Sequence, residues 1–186
     1  MQKNKLFILT GPSGVGKTTL CERLSKDFPT LIRSVTFTTR FPRPQEKNGI
    51  DYHFISIQEF QEKIRRQEWM EWKKVYGHYY GNAKESIYYI WNQHHSVLLV
   101  LDVQGALQLK KAYSKDCICF FIQPPHLEAL ENRLRLRGTD SDDTLQIRIQ
   151  TAKNELYDAH HFDFIMINEN LDETYRELKS KVASLC

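Results

Sequence analysis

The chain has 186 residues and a formal net charge of +3, from 26 lysine and arginine against 23 aspartate and glutamate residues. This length suits a single domain with its own hydrophobic core, and so mild a charge gives no reason to expect a nucleic-acid partner. The apolar run before residue 11 is too short for a signal peptide, and no stretch approaches the ~20 apolar residues of a membrane span. We therefore expect a soluble cytoplasmic protein that binds neither nucleic acid nor a membrane.

The four cysteines, at positions 21, 117, 119 and 186, have neither the spacing nor the histidine partners of a metal site. Cys117 and Cys119 alternate within an apolar run, which is typical of buried thiols in a reducing compartment. We expect reduced thiols that bind no metal.

The first predicted element is an apolar strand at residues 5–10, and a helical pattern opens at Lys17. The residues between them fit the phosphate-binding loop pattern G-x-x-x-x-G-K-[ST]. Glycines allow successive N–H groups to face phosphate oxygens, Lys17 adds positive charge, and Thr18 offers a hydroxyl to Mg²⁺. The motif predicts a nucleoside triphosphate site at a helix N-terminus, and the alternative is a glycine-rich turn that merely connects strand to helix. The loop residues are Gly11, Pro12, Ser13, Gly14, Val15, Gly16, Lys17 and Thr18.

The region after the first helix changes character twice. Residues 31–39 are rich in β-branched side chains and predict one strand. Residues 40–49 contain two prolines, a glycine and two arginines, which predicts a surface loop with a possible functional role. From residue 51 to residue 82 the pattern predicts a small inserted α+β lobe.

Within this lobe a strand is predicted at 52–55, and a capping-box match at 56–59 starts a helix. Residues 69–76 and 79–80 predict two further strands around Gly77-His78. Strict alternation places Trp69, Glu71 and Lys73 on one face of the first of these strands and Met70 and Trp72 on the other.

The second half alternates between helices and apolar strands. Helices are predicted at 84–95, 103–113, 126–137, 144–157 and 171–185, and strands at 97–101, 117–122 and 162–168. Continuous apolar strands suit a parallel sheet covered on both faces. The chain is therefore predicted to be an α/β fold of about five parallel strands, with the ligand at their carboxyl ends.

Asp102 directly follows the strand predicted at 97–101. Its carboxylate could contact Mg²⁺ through water, or it could cap the N-terminus of the following helix. The sequence does not separate these two roles.

Several motifs together resemble one family. They read Gly-Pro-Ser-Gly-Val-Gly-Lys-Thr at 11–18, Thr-Thr-Arg-Phe-Pro-Arg-Pro at 38–44, Gly-Ile-Asp-Tyr at 49–52, Met-Glu-Trp at 70–72, Tyr-Tyr-Gly at 79–81, Asp-Val-Gln-Gly at 102–105 and Arg-Gly-Thr at 137–139. Over nearly its whole length the chain resembles the guanylate kinases, which phosphorylate GMP with ATP.

The resemblance implies a P-loop nucleoside-monophosphate kinase fold in one domain, with a five-stranded parallel core sheet flanked by helices. The implied core comprises residues 1–35, 89–136 and 151–186, the GMP-binding lobe residues 36–88, and the lid residues 137–150. It also implies that Mg²⁺ accompanies ATP, held by Thr18 and through water by Asp102, and that GMP or dGMP is the acceptor.

The guanine site is expected around Glu71. Guanine presents N1–H and an amino group along one edge, so a carboxylate can accept two parallel hydrogen bonds from it. Adenine would instead turn an acceptor toward the carboxylate. Taken alone, Glu71 would be a solvated strand residue. At the two positions where the family has serine or threonine donors to the base, this chain has Thr36 and Asn82, and both can still donate.

The GMP phosphate is expected to bind Arg40 and Arg43, with the Tyr52 and Tyr80 hydroxyls as further donors, and the resemblance adds Asp102 to the GMP site. The alternative for the arginines is an ordinary solvated basic loop.

The transferred phosphoryl group needs positive charge around it. Lys17 supplies charge from the loop, and Arg133, Arg137 and Arg148 resemble the lid arginines of the family. Arg133 and Arg137 could equally form a solvated pair on a helix. The chain departs from the family at Val100, where an acidic residue is usual.

The leading hypothesis is Mg²⁺-dependent transfer of the ATP γ-phosphoryl group to GMP. One alternative is a catalytically inactive guanylate-kinase-like module that binds phosphopeptides, although such modules generally have a degraded phosphate loop and this loop is intact. A second is a related small-molecule kinase such as ribose bisphosphate kinase. The combination of Glu71, Tyr52 and Tyr80 argues against that alternative.

Overall fold

The computed structural model describes residues 4–75, 77–136 and 142–185. The strands in the described residues are β1 (Leu6–Thr10), β2 (Leu31–Arg33), β3 (Phe37–Thr38), β4 (His53–Phe54), β5 (Trp69–Val75), β6 (His78–Ala83), β7 (Ser96–Val100), β8 (Cys117–Gln123) and β9 (Phe164–Ile167). The helices are α1 (Lys17–Asp27), α2 (Ile57–Arg65), α3 (Lys84–Asn92), α4 (Val103–Tyr113), α5 (Leu127–Leu136), α6 (Asp142–Tyr157) and α7 (Leu171–Leu185).

The core is the predicted five-stranded parallel sheet, and its strand order is β2-β7-β1-β8-β9. All five side chains of β1 are buried, because the central strand is covered on both faces. One face packs on α1 and α7 through residues such as Leu20 and Leu178, and the other packs on α3 and α4 through residues such as Ile87 and Ala106. The phosphate-binding loop, Asp102 and Asn168 follow β1, β7 and β9, so all three lie at the carboxyl edge of this sheet.

The predicted lobe contains a separate four-stranded sheet in the order β4-β3-β6-β5. The β3–β4 pair is parallel, whereas β6 pairs antiparallel with both β3 and β5. This sheet has its own small apolar cluster, in which the Phe60 ring stacks on Trp69 at 4.1 Å and on Tyr79 at 5.1 Å between centroids. The helix carrying Phe60, α2, begins at the predicted capping box, where the Ser56 hydroxyl accepts a hydrogen bond from the Glu59 N–H at 3.1 Å.

The single strand predicted for residues 31–39 is wrong. Residues 31–33 belong to the core sheet and residues 37–38 to the lobe sheet. Between them the Ser34 N–H donates to the Leu98 carbonyl of the core, while the Thr36 carbonyl accepts from the His53 N–H of the lobe. The β-branched composition is continuous across this junction, so composition could not reveal that the chain changes sheets.

Strict alternation along β5 is also wrong at its start. The pairing of β5 with β6 shifts register between Trp69 and Glu71. As a result Trp69 and Trp72 lie on the same side of the strand. Both rings approach Phe60, with centroid distances of 4.1 Å for Trp69 and 6.4 Å for Trp72. Glu71 lies opposite Trp72, as predicted, and is directed toward α4.

Several smaller features agree with the sequence. The three described cysteines are buried and carry free thiols, and the sulfur atoms of Cys117 and Cys119 lie 3.6 Å apart. Within the described ranges, no helix combines the length and apolarity needed to cross a membrane.

Candidate active site

The phosphate-binding loop is folded tightly between β1 and α1. A Cβ atom at Gly11 would overlap the carbonyl oxygen of Ile122 on β8, and one at Gly16 would lie 2.8 Å from the Asn168 amide nitrogen. Both glycines also have positive φ, at 124° and 92°. Close approach and conformation therefore both require glycine here.

The cation of the loop, Lys17, folds back over it. Its ammonium donates to the carbonyl oxygens of Gly11 at 2.6 Å and Pro12 at 2.8 Å. Thr18 follows in the first turn of α1 and is exposed. The N-cap residue, Gly16, has no side chain that could cap this helix, so the first N–H groups can bind an anion.

Asn168, which the sequence analysis missed, supports the loop from the end of β9, which is separated from β1 by β8. Its side chain is 3% exposed and donates to the Val15 carbonyl at 2.8 Å. The amide oxygen accepts from the Thr174 hydroxyl at 3.2 Å, which fixes the orientation of the amide. The two partners of this contact are 153 positions apart, so no local pattern signals it.

Glu71 is buried at the junction between the lobe and the core. It is 6% exposed, and its Oε1 accepts a 2.7 Å hydrogen bond from the Asn82 amide. Its Oε2 faces the start of α4, where a Cβ atom at Gly105 would lie only 3.0 Å away. Burial raises the pKa of Glu71 to about 7, against the opposing effect of the Asn82 hydrogen bond.

Thr36 and Asn82 lie beside this carboxylate. The Thr36 hydroxyl donates to the Asn82 amide oxygen at 3.4 Å, while the amide nitrogen of Asn82 faces Glu71. Asn82 is fully buried, so these two contacts define which way its amide points. The structure thus brings together the three residues predicted to surround the guanine base.

The predicted phosphate residues also converge. The Arg40 guanidinium lies 5.4 Å from the centre of the Tyr52 ring. The Tyr52 and Tyr80 rings are 6.2 Å apart. Glu46, which the sequence analysis passed over, accepts from Arg40 at 2.8 Å and from the backbone N–H of Arg43 at 2.8 Å.

Asp102 caps α4, which was one of its two predicted roles. Its Oδ1 accepts from the Gly105 N–H at 2.9 Å and pairs with the Lys73 ammonium at 2.7 Å. The ion pair joins β5 of the lobe sheet to the start of a core helix. Lys73 had been noted only as a strand residue, and it is a second cation at this edge of the sheet.

Glu155 is a further carboxylate that sequence analysis missed. Burial raises its pKa to about 7, and the nearby positive charges of Lys17 and Lys73 oppose that rise. The negative charge of Asp102 acts in the same direction as burial. Glu155 on α6 therefore belongs to the electrostatic environment shared by the loop and the lobe.

The predicted lid arginines are divided between described and undescribed parts of the chain. Arg133 donates to the carbonyl oxygens of Asn168 at 2.8 Å and Glu169 at 3.4 Å, which places it beside the phosphate-binding loop. Arg148 lies on α6. Arg137, and with it the start of the predicted lid, lies outside the described residues.

Val100, at the position where the family usually has an acid, packs against the apolar cluster beneath the loop.

A parallel sheet whose central strand leads through a phosphate-binding loop into a helix, with a second small sheet linked to the same sheet edge by Lys73 and Asp102, defines a P-loop kinase of the nucleoside-monophosphate class. The sequence profile of the guanylate kinase family matches residues 3–185. A guanylate kinase of Protochlamydia amoebophila is 43% identical over 179 residues, which cover 96% of this chain and 90% of that protein. A guanylate kinase of Thermosynechococcus vestitus is 39% identical over 183 residues, covering 98% and 95%.

The fold agrees with these sequence matches. The crystal structure of guanylate kinase from Anaplasma phagocytophilum superposes with a TM-score of 0.82 at 27% identity, covering 98% of this chain and 86% of that one. The chain belongs to the guanylate kinase family. This confirms the resemblance drawn from the motifs and does not favour the phosphopeptide-binding or ribose bisphosphate kinase alternatives.

Proposed function

We propose that this protein transfers the γ-phosphoryl group of ATP to GMP, giving ADP and GDP. The observation that carries the proposal is the buried Glu71 carboxylate, oriented by Asn82 and placed at the same sheet edge as an intact phosphate-binding loop. A buried carboxylate that selects a base and a loop that binds a triphosphate are the two halves of a two-substrate site.

The acceptor base would bind at Glu71 through its N1–H and amino groups. Because the carboxylate is nearly closed off from water, a base that left it unpaired would lose much affinity. Thr36 and Asn82 would donate to the opposite edge of guanine. The Thr36 hydroxyl would exchange its 3.4 Å contact with the Asn82 oxygen for the base, and the second N–H of the Asn82 amide would donate as well.

The acceptor phosphate would bind between Arg40 and Arg43. Planar guanidinium groups donate to phosphate oxygens in pairs, and the Tyr52 and Tyr80 hydroxyls would add two donors. The geometry that supports this clamp is the packing of Arg40 over Tyr52, whose ring centre lies 6.2 Å from that of Tyr80.

The donor phosphates would bind the N–H groups of residues 11–18. We propose that Lys17 exchanges its contacts with the Gly11 and Pro12 carbonyls for the terminal phosphates. Arg133, Arg137 and Arg148 would surround the moving group and help to exclude water, which limits ATP hydrolysis. Residues 36–88 would act as the acceptor lobe, residues 137–150 as the lid, and the remainder as the core.

Mg²⁺ would enter with ATP. Thr18 and Asp102 offer the hydroxyl and carboxylate oxygens that suit this ion, and both lie at the carboxyl edge of the core sheet. Thr18 would contact the ion directly and Asp102 through water. When bound, the ion neutralises charge on the β- and γ-phosphates. We place the reaction in the cytoplasm, a location that the free thiols of Cys21, Cys117 and Cys119 support.

The decisive experiment is a coupled ADP-release assay with GMP, dGMP, AMP, CMP and UMP as acceptors. We expect turnover with GMP and dGMP that far exceeds turnover with the other three. Equal rates with all five, or no turnover with GMP, would contradict the proposal.

Two variants test which residues act in the ATP-binding half of the site and which act in the GMP-binding half. Lys17→Ala should reduce turnover far more than GMP binding, because its charge acts on the transferred group. Glu71→Ala should weaken GMP use and leave ATP binding intact. A protein that fails to bind ATP in titration would instead point to a non-catalytic module.

A further inference from the structure

Glu46 is built into the loop that carries the two phosphate-binding arginines. Its side chain is only 16% exposed, and both carboxylate oxygens accept hydrogen bonds, Oε1 from the Arg40 guanidinium and Oε2 from the Arg43 backbone N–H. Its own backbone N–H donates back to the Arg43 carbonyl at 3.0 Å. Residues 43 and 46 thus bind each other reciprocally across one turn.

Glu46 is one of several groups that surround Arg40. One terminal nitrogen of the guanidinium donates to the Phe41 carbonyl at 2.7 Å and the other to Glu46. Its flat face lies over Tyr52 at 5.4 Å and Phe54 at 5.8 Å. Arg40 is 16% exposed as well, so its orientation is set before any ligand arrives. The guanidinium of Arg43 differs, because it is 49% exposed and lies 3.9 Å from Glu46.

A carboxylate in this position could act in two opposite ways. It could occupy the place of the phosphate and leave when the ligand binds, in which case it would compete with GMP. It could instead remain as a fixed support that aims Arg40 at the phosphate. The backbone contact favours the second, since withdrawal of the carboxylate would leave the Arg43 N–H without this acceptor.

We propose that Glu46 is a positioning residue for the acceptor phosphate, which holds Arg40 and the Arg43 backbone in the phosphate-binding arrangement and stays in place when GMP binds. The inference rests on the proposed function, because it concerns the GMP phosphate. A guanidinium that is already oriented loses little conformational freedom on binding, and this preorganisation offsets the repulsion between Glu46 and a nearby phosphate.

The test compares the binding of GMP and of guanosine, which lacks the phosphate, by isothermal titration calorimetry of the full chain without ATP. Glu46→Gln keeps the size of the side chain and removes its charge. We expect this variant to lower the affinity for GMP by roughly tenfold and to leave guanosine affinity unchanged, as loss of a charge-assisted hydrogen bond predicts. Glu68→Gln is the matched control, because it breaks a 2.9 Å ion pair with Lys63 in the same lobe, away from the two arginines.

Each other outcome has a distinct meaning. Tighter GMP binding by Glu46→Gln would show that Glu46 competes with the phosphate and would overturn the inference. An unchanged ratio of GMP to guanosine affinity, or equal losses for both ligands, would overturn it as well. If the unaltered protein binds GMP no better than guanosine, the proposed phosphate site itself fails and the inference falls with it.

Discussion

Glu71 is buried, yet the guanine base proposed to bind it requires a charged carboxylate. In the free protein its pKa lies near 7, so a substantial fraction is protonated at pH 6. A protonated carboxyl cannot accept both guanine hydrogen bonds, and binding must therefore remove the proton. Asp102 and Lys73 are the nearby charges that act on it, the first raising and the second lowering its pKa.

Guanosine affinity should therefore depend on pH. We expect it to be nearly constant above about pH 8 and to fall by roughly 30-fold between pH 8 and pH 5.5. Guanosine is the appropriate ligand, because the phosphate of GMP titrates in the same range. Calorimetry across this range is the measurement, and Glu71→Gln should give weak binding with little pH dependence. A constant affinity in the unaltered protein from pH 5.5 to pH 8 would contradict the assigned role.

Glu155 should make folding stability depend on pH. Its folded pKa of about 7 exceeds the ordinary glutamate value of 4.5, so the folded state binds the proton more tightly than the unfolded state does. The contribution of Glu155 to stability is therefore greatest below pH 4.5 and is lost as the pH rises to about 7. Glu155→Gln removes this pH dependence. The unfolding free energy of the variant minus that of the unaltered protein should therefore increase between pH 4.5 and pH 7, by at most about 3 kcal/mol. Urea unfolding at pH 5 and pH 8 measures the change, and a pH-independent difference would contradict it.

At the scale of elements, the lobe sheet depends on a very small apolar cluster. Phe60 is fully buried and stacks on both Trp69 and Tyr79. The partly buried side chains of Phe37, Ile55 and Ile64 pack around the same cluster. Gly81 is packed against the same ring, since a Cβ atom there would lie 3.0 Å from it. The strand β6 that carries Asn82 is therefore positioned by this cluster.

Phe60→Ala should disrupt the lobe before the core. Loss of a buried phenylalanine costs about 3–5 kcal/mol, which is large for so small a cluster. We expect GMP binding to be lost and ATP binding to be retained, with faster hydrogen exchange confined to the lobe strands. Phe120→Ala in the core cluster is the matched control and should weaken both ligands. Equal loss of both ligands in Phe60→Ala would show that the lobe is not a separate unit.

At the scale of the whole molecule, the two sheets are joined covalently at two junctions and electrostatically by Lys73 and Asp102. One covalent junction is residues 34–36, and the other is the direct passage from β6 into α3. The ion pair lies between these sheets and is 28% exposed at each partner. Because Asp102 also caps α4, the position of the lobe is linked to the start of a core helix.

A double-mutant cycle with Lys73→Met and Asp102→Asn tests this connection. Partial burial and a 2.7 Å contact lead us to expect a coupling of about 1 kcal/mol in the unfolding free energy, decreasing at high salt. Asp102→Asn alone should cost little through the cap, because asparagine also caps helices. Additive effects of the two substitutions would show that the pair does not stabilise the arrangement of lobe and core.

The fold could largely be predicted because its signals are local. Apolar runs such as residues 97–101 and the phosphate-binding loop lie within short stretches, and the parallel order of such strands follows general rules of connection. The roles of Glu71, Arg40 and Arg43 in binding GMP came from the family resemblance and remain predictions.

By itself, the sequence determined the phosphate-binding loop, the alternation of helices with parallel strands, and the family. Each of these features is specified by residues that are close together in the sequence, because the order of their side chains decides the local backbone conformation. Only the tertiary structure decided that Asn168 supports Val15, that Lys73 pairs with Asp102, and that Glu155 lies near Lys17. These partners are separated by 29 positions in the nearest case, and the burial that gives Glu71 and Glu155 their raised pKa values exists only once the distant segments have packed together.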